Sequence, residues 1–259
     1  RAAWPRLNYV RAALLAGTSA LVASGAPLAQ QIDATGTTID VPANTTIDTG
    51  AIGGASGVAI RARAGGVVNA QGPVFVTTGG VAAYPVFVDV QGGAINLNQG
   101  GTITSTGEAA YGVWASRSGS TSSSIGITDF KINTVATSVL AQERGVISVL
   151  NTDLSSSTGF GLHAIGTGAA GDTTAINATD VSVATGSDHA VESFSTSTVT
   201  LSTLKRSANT IATQGADAQG ILSQQGGTVR TTGGLAVETA GQASAGVLAR
   251  GNARIAIDG

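Results

Sequence analysis

The chain has 259 residues, of which 11% are charged, 4% are aromatic and 37 are glycine, and its formal net charge at pH 7 is −2. The absence of cysteine excludes disulfides, thiol catalysis and zinc–thiolate sites, and the near-zero charge gives no long-range reason to expect a nucleic-acid partner. Ile and Val total 41 against 15 Leu, a β-branched bias that favours strands over helices.

The N-terminal segment has the pattern of a secretory leader. Arg1, Arg6 and Arg11 precede the small and apolar run 12–23, and a stretch rich in small residues follows at 24–30. A positive start, a short apolar middle and small residues at the exit are typical of a signal peptide, whereas a bilayer-spanning helix needs about 20 apolar residues. We therefore predict a leader at 1–29 and export through the periplasm to the cell surface or medium. The alternative is an amphipathic or core helix. After Arg11, basic residues do not cluster in the sequence.

Three aliphatic registers then repeat about every 27 residues. The first contains Val58, Val86, Val113, Val139, Leu162, Val191, Ile221 and Val247. The second contains Val68, Ile95, Ile125, Ile147, Ile176, Val199, Val229 and Ile255. The third contains Val76, Ile103, Ile132, Leu154, Val183, Ile211 and Val237, and Ile39 and Ile47 precede it with similar spacing.

The third register carries an additional hydroxyl signal. Two residues after its aliphatic position there is always a serine or threonine: Thr49, Thr78, Ser105, Thr134, Ser156, Thr185, Thr213 and Thr239. Stacked hydroxyls can bond to one another or to the backbone at a corner.

These registers predict an all-β fold, a parallel β-helix or β-solenoid of about eight coils of ~27 residues with three strands per coil. Residues 30–56 are expected to form a leading partial coil or cap, and 57–259 the repeats, which stop after a second strand, as expected for the N-terminal fragment of a longer protein. Longer spacings predict protruding loops at 117–124, 166–173 and 202–209, where solenoids often place their binding residues.

One outward register predicts a possible interaction stripe. The residues that follow the first-register anchors include Phe87, Trp114, Leu140 and His163, which stacked coils would align as an apolar surface. Exposed patches of this kind usually contact a partner. The alternatives are that a neighbouring loop covers the stripe or that the inward and outward phases are reversed.

No motif in the sequence predicts catalysis, a cofactor or a metal site. The Gly-x-Gly-x-x-Gly run 166–171 is followed by a strand pattern rather than by the helix that dinucleotide binding requires. His163 and His189 are the only histidines, and Asp89 and Glu192 fall in different coils. We therefore expect no catalytic, cofactor-binding or metal-ligating residues and a protein that is not an enzyme.

Several repeats resemble those of pertactin-like autotransporter passengers. The resemblance lies in the segments 57–66, 100–107, 111–119 and 245–251, exemplified by Tyr111-Gly-Val-Trp-Ala-Ser-Arg and Ala245-Gly-Val-Leu-Ala-Arg-Gly. It covers about residues 31–259 and implies a right-handed parallel β-helix that a C-terminal outer-membrane β-barrel exports, although this sequence includes no such barrel. The implied function is a surface-displayed stalk with an adhesion or interaction surface for a host or matrix ligand. The alternative is a carbohydrate-active or other hydrolytic enzyme carried on the same scaffold.

Overall fold

The structure, a computed structural model, describes residues 31–89, 91–116 and 123–258. They form a parallel β-solenoid of about eight coils with three strands per coil, as predicted, and the single 3₁₀ turn Gly54–Gly57 is the helical element among them. No helix in this part of the chain is long and apolar enough to cross a bilayer. The predicted leader lies outside the described residues.

Each coil contributes one strand to each of three parallel sheets. The first sheet contains β1 (Ile32–Thr35), β4 (Ile60–Arg63), β7 (Val86–Val88), β10 (Val113–Ser116), β13 (Val139–Gln142), β16 (Leu162–Ile165), β19 (Val191–Phe194), β22 (Ile221–Gln224) and β25 (Val247–Arg250). The second contains β2 (Thr38–Val41), β5 (Gly66–Ala70), β8 (Gly93–Leu97), β11 (Ser123–Thr128), β14 (Val146–Leu150), β17 (Ala175–Thr179), β20 (Thr198–Ser202), β23 (Thr228–Thr232) and β26 (Arg254–Asp258). The third contains β3 (Thr45–Asp48), β6 (Val74–Thr78), β9 (Gly101–Ser105), β12 (Phe130–Thr134), β15 (Asp153–Ser156), β18 (Ser182–Thr185), β21 (Asn209–Thr213) and β24 (Leu235–Thr239).

The pairing registers confirm the second and third registers of the sequence at every step, including the leading pair Ile39 and Ile47. The first register is wrong at one position, because Ile60 rather than Val58 pairs with Val86. Val58 and Ile60 are both aliphatic and two residues apart, so the alternation of inward and outward side chains does not show which of them pairs with Val86. The leading coil is also more complete than predicted, since Ile32 pairs with Ile60 and gives it a first strand.

The interior is a continuous column of aliphatic side chains. Alternate residues of each strand point inward, so Ile103, Ile132 and Leu154 stack on successive coils and are buried. Burying each such side chain contributes about 1.5–3 kcal/mol relative to leaving it in water. The column is therefore the main source of stability and it also fixes the register, because a one-residue slip would expose it.

The predicted hydroxyl row lies inside the solenoid and bonds mainly to backbone at the corner that follows the third sheet. The Thr49 hydroxyl donates to the Gly57 carbonyl at 3.0 Å, Thr78 to Ala83 at 3.0 Å, and Thr213 to Ala218 at 3.2 Å. These threonines are buried. These hydroxyls thus tie β3, β6 and β21 to the turn that leads into the next coil.

The corner between the second and third sheets requires left-handed backbone. Gly100, Asp129, Asn151 and Asp180 occupy it with φ between 46° and 80°. Asn and Asp adopt this conformation more readily than other non-glycine residues. These corners are therefore turned by aspartate and asparagine as well as by glycine.

The predicted loop 166–173 lies outside regular strands, and most of its residues are exposed. The loop predicted at 202–209 is shorter, because Ser202 ends β20 and Asn209 begins β21, and Leu204, Lys205 and Ser207 are its exposed residues. Residues 117–122, the main part of the third predicted loop, lie outside the described residues.

Candidate interaction face on the first sheet

The predicted stripe is aligned as expected. Phe87 pairs with Trp114, Trp114 with Leu140, and Leu140 with His163 on consecutive strands of the first sheet. The same row continues to Glu192, Leu222 and Leu248. We call this set the outer row, because it lies on the face of the sheet that points away from the interior column.

The outer row is not the open apolar surface that the sequence suggested. Phe87 is only 8% exposed and Leu140 only 4%. A second set of side chains lies two residues before the first inward residue of the strands β4 to β22, and its members Tyr84, Tyr111 and Phe160 pack against the outer row. This flanking row contains Val58, Tyr84, Tyr111, Thr137, Phe160, His189 and Gln219.

Four aromatic rings of the two rows form one cluster. Phe87 stacks on Trp114 with ring centroids 4.5 Å apart at 25°, and Tyr84 stacks on Tyr111 at 5.5 Å and 15°. Tyr84 and Tyr111 also meet Trp114 edge to face, at 4.8 and 5.6 Å. Such pairs are worth about 0.5–1.5 kcal/mol each beyond their buried area. Because these rings pack against one another, the cluster joins adjacent coils rather than offering a flat platform to a sugar.

Polar groups border the aromatic cluster. Burial raises the pKa of Tyr84, and the electrostatic effect of the neighbouring Tyr111 raises it further. The Arg61 guanidinium, which forms a salt bridge with Asp89, lies 5.8 Å from the centroid of the Phe87 ring. The Trp114 indole Nε1 is buried and has no hydrogen-bond partner among the described residues.

Both histidines of the chain meet on the next coils of the same face. His163 Nε2 lies 3.0 Å from Glu192 Oε2, and the Gln224 amide donates to the other carboxylate oxygen. Phe160 packs on His163 with centroids 4.1 Å apart and on His189 at 5.7 Å. The sequence placed both histidines at the surface but gave no indication of this grouping.

Hydrogen bonds set the protonation of this group. The Gln219 backbone N–H donates to His189 Nδ1 at 2.9 Å, so the neutral His189 ring carries its proton on Nε2. Burial alone would raise the pKa of Glu192, which is 3% exposed, but the hydrogen bonds and charges of its neighbours, His163 first, lower it. Glu192 is therefore a buried carboxylate with one partner at each oxygen, an arrangement that favours its ionised form.

Comparisons with known proteins were made for the whole chain. No protein-family model, no curated protein and no solved structure matches it. The strand pairing of the chain itself therefore establishes its fold class.

The His163–Glu192 pair resembles the base-and-orienter half of a catalytic triad, but the nucleophile is missing from the described residues. No serine or threonine hydroxyl in that part of the chain hydrogen-bonds to either histidine. No three His, Asp or Glu side chains there converge as metal ligands would. The arrangement links three successive coils through His163, Glu192 and Gln224.

A groove of about 580 Å³ lies at the corner beneath the loop 166–173. Its charged lining residues are Glu143 and Arg144. Both have left-handed backbone, with φ of 50° and 69°. A glycosidase needs two carboxyl groups across the scissile bond, and the groove lining supplies one.

The Gly-rich loop above this groove is held by its own side chains. Asp172 accepts hydrogen bonds from the hydroxyls of Thr167 and Thr174 at 2.9 and 2.7 Å, and from their backbone N–H groups. The strand β17 follows it, so the loop lacks the helix N-terminus of a dinucleotide site.

The flanking row is what sequence reasoning missed on this face. A register two residues before the anchors would have found Tyr84, Tyr111, Phe160 and His189, whose spacing follows the coil period or twice that period. The variable residues at its other positions obscured the pattern.

Proposed function

We propose that this chain is the β-helical passenger of an exported, cell-surface protein and acts there as a rigid stalk and interaction surface. The observation that carries the proposal is the continuity of the solenoid, in which nine strands of the first sheet pair in one unbroken parallel order. At about 4.8 Å per coil, nine strands span roughly 38 Å. A rod of this kind holds attached groups at a fixed distance from the surface that carries it.

The composition supports export before folding. The chain has no cysteine, and its N-terminal segment has the pattern of a leader. A solenoid can fold by adding each coil to the preceding one, because each coil contacts mainly its neighbours. Such a chain is suited to folding progressively as it emerges outside the cell.

The loop 203–208 is the best-formed candidate contact point on this rod. The backbone N–H groups of Leu204, Lys205 and Arg206 donate to the Asp180 carboxylate at 2.8, 2.9 and 3.0 Å. Burial alone would raise the pKa of Asp180, but these three donors and the Arg206 charge lower it. The loop therefore keeps one shape while the Leu204 side chain is 79% exposed. Preorganisation of this type reduces the entropy lost on binding.

A screen of the full chain against glycan and matrix-protein arrays, run beside a hydrolase panel, tests the proposal. We expect binding without turnover, and we expect Leu204→Ala to weaken binding at least tenfold. Val81→Ala is the matched control, because Val81 is a large apolar residue, 60% exposed, on a different corner. Absence of binding to every member of the arrays would contradict the proposal.

The alternative function is hydrolysis of a glycan or another substrate at the groove beside Glu143. The groove volume and its carboxylate are the observations that favour it. Turnover in the hydrolase panel that Glu143→Gln abolishes, with folding unchanged, would replace the stalk proposal with this one.

A further inference from the structure

The last coils bring together arginines that are distant in the sequence. Arg254 on β26 pairs with Thr228 on β23, and Arg230 lies two residues further along β23, opposite Ala256. With about 4.8 Å between strands and 3.3 Å per residue, the Cα atoms of Arg230 and Arg254 are roughly 8 Å apart. In the sequence, 24 residues separate these two arginines, so no basic cluster is visible after Arg11. Because β23 and β26 are paired strands of successive coils, the two arginines lie close together in the fold.

These arginines lie in a three-by-three array of outward positions on the second sheet. We call this array the basic face. Its rows are Thr198, Thr228 and Arg254; Thr200, Arg230 and Ala256; and Ser202, Thr232 and Asp258. Two guanidinium groups and one carboxylate give it a formal charge of about +1 at neutral pH.

The arginines of the basic face have no partners in the described part of the chain. Arg61, Arg63 and Arg206 each form an ion pair with an aspartate. Arg230 and Arg254 are exposed and form neither an ion pair nor a side-chain hydrogen bond with the described residues. Within the described part of the chain, their donors face solvent.

The side chains around the two arginines indicate which class of anionic molecule fits the basic face. The array contains four threonines and one serine, whose hydroxyls can donate to or accept from the hydroxyls of a sugar. It contains no aromatic side chain on which a nucleic-acid base could stack and no large apolar side chain that could enter a lipid layer. A guanidinium binds sulfate or carboxylate oxygens in a bidentate manner.

We propose that the basic face binds an anionic polysaccharide through its sulfate or carboxylate groups. The inference rests on the proposed function as a displayed interaction scaffold and names a partner class for it. Arg230 and Arg254 contact the anionic groups, and the threonine rows contact the sugar hydroxyls between them.

The test measures binding of the full chain to immobilised heparin, polygalacturonate and uncharged dextran over a range of NaCl concentrations. Heparin carries sulfates and polygalacturonate carries only carboxylates, so the two arms identify the anionic group. We expect binding to at least one of them and none to dextran. The double variant Arg230→Ala/Arg254→Ala is expected to weaken binding at least tenfold, with a shallower dependence on salt.

The control double variant is Arg63→Ala/Lys131→Ala, which removes the same formal charge at solvent-accessible positions away from the basic face. We expect it to change affinity less than twofold, and far-UV circular dichroism to show that both variants fold. Failure of the wild-type chain to bind either polyanion would overturn the inference, as would equal losses in both double variants. Binding to anionic vesicles or single-stranded DNA that is as tight and as dependent on Arg230 and Arg254 would also overturn it.

Failure here is distinguishable from failure of the proposed function. If neither polyanion binds but Leu204→Ala still abolishes binding to a ligand from the arrays, the scaffold proposal stands and the basic face is not its site.

Discussion

Replacing Thr78 by valine tests how the third sheet is joined to the next coil. The Thr78 hydroxyl is fully buried, and it donates to the Ala83 carbonyl at 3.0 Å and contacts Ser105 Oγ at 3.2 Å. Valine has nearly the same shape but cannot donate, so a buried carbonyl loses its partner. An unsatisfied buried group of this kind costs about 1–3 kcal/mol. We expect the free energy of unfolding to fall by that amount in urea titrations followed by far-UV circular dichroism.

Two companion variants separate the hydrogen bond from side-chain shape. Thr77→Val makes the same substitution one residue earlier, where the side chain points outward and is exposed, and should change stability by less than about 0.5 kcal/mol. Thr78→Ser keeps the hydroxyl and removes one buried methyl group, which costs about 1 kcal/mol. If Thr78→Val is as stable as the wild type, the hydroxyl row does not stabilise the corners and our account of its role is wrong.

Three further changes probe other parts of the solenoid. Folding lowers the pKa of Glu192, so its carboxylate stabilises the fold fully above the unfolded-state pKa of about 4.3, and this stabilisation is lost as the pH falls through the folded-state pKa. We therefore expect Glu192→Gln to lower the free energy of unfolding by about 1–3 kcal/mol in urea titrations at pH 7 and by progressively less below pH 4. Gly101→Ala should lower stability by about 2 kcal/mol or more, since φ is 142° and a Cβ would overlap a neighbouring carbonyl, whereas Gly126→Ala should stay within about 0.5 kcal/mol. Asp180→Ala should increase the rate of tryptic cleavage in the loop 203–208 severalfold, because it removes three hydrogen bonds to backbone N–H groups.

For each of these three variants, one outcome would contradict the prediction. A pH-independent effect of Glu192→Gln would show that folding does not lower the pKa of this carboxyl group. Equal losses in Gly101→Ala and Gly126→Ala would show that the strand approach at Gly101 is not as close as described. Unchanged cleavage of the loop in Asp180→Ala would show that its shape does not depend on the buried carboxylate.

The interior of this fold could be predicted from the sequence because it is periodic in residue type. An inward position must hold an aliphatic side chain on every coil, so Ile103, Ile132 and Leu154 repeat visibly. The error at Val58 arose where two aliphatic residues both satisfy the alternation, next to the 3₁₀ turn Gly54–Gly57 that alters the local count.

The outer faces could be predicted only in part, because no single residue type is required there. The alignment of Phe87 with Trp114 follows from the inward register, but their burial depends on Tyr84 and Tyr111, which lie in the preceding turn. His163 lies beside Glu192 because the chain between them, which advances 29 residues, forms one coil. Residues this far apart in the sequence do not appear as neighbours when the sequence is read along its length.

The distance between spin labels on the third sheet tests the central claim, the stacking of about eight coils, most directly. The chain has no cysteine, so labels can be placed at pairs of introduced cysteines without background. Thr46, Ser182, Thr210 and Ala236 lie in one outward row, with Ser182 five coils from Thr46 and one further coil at each later position. Double electron–electron resonance should give distances of about 24, 29 and 34 Å from position 46 to the other three, increasing by about 5 Å per coil. Distances that do not increase in this order, or that increase by much more or less than 5 Å per step, would contradict the solenoid.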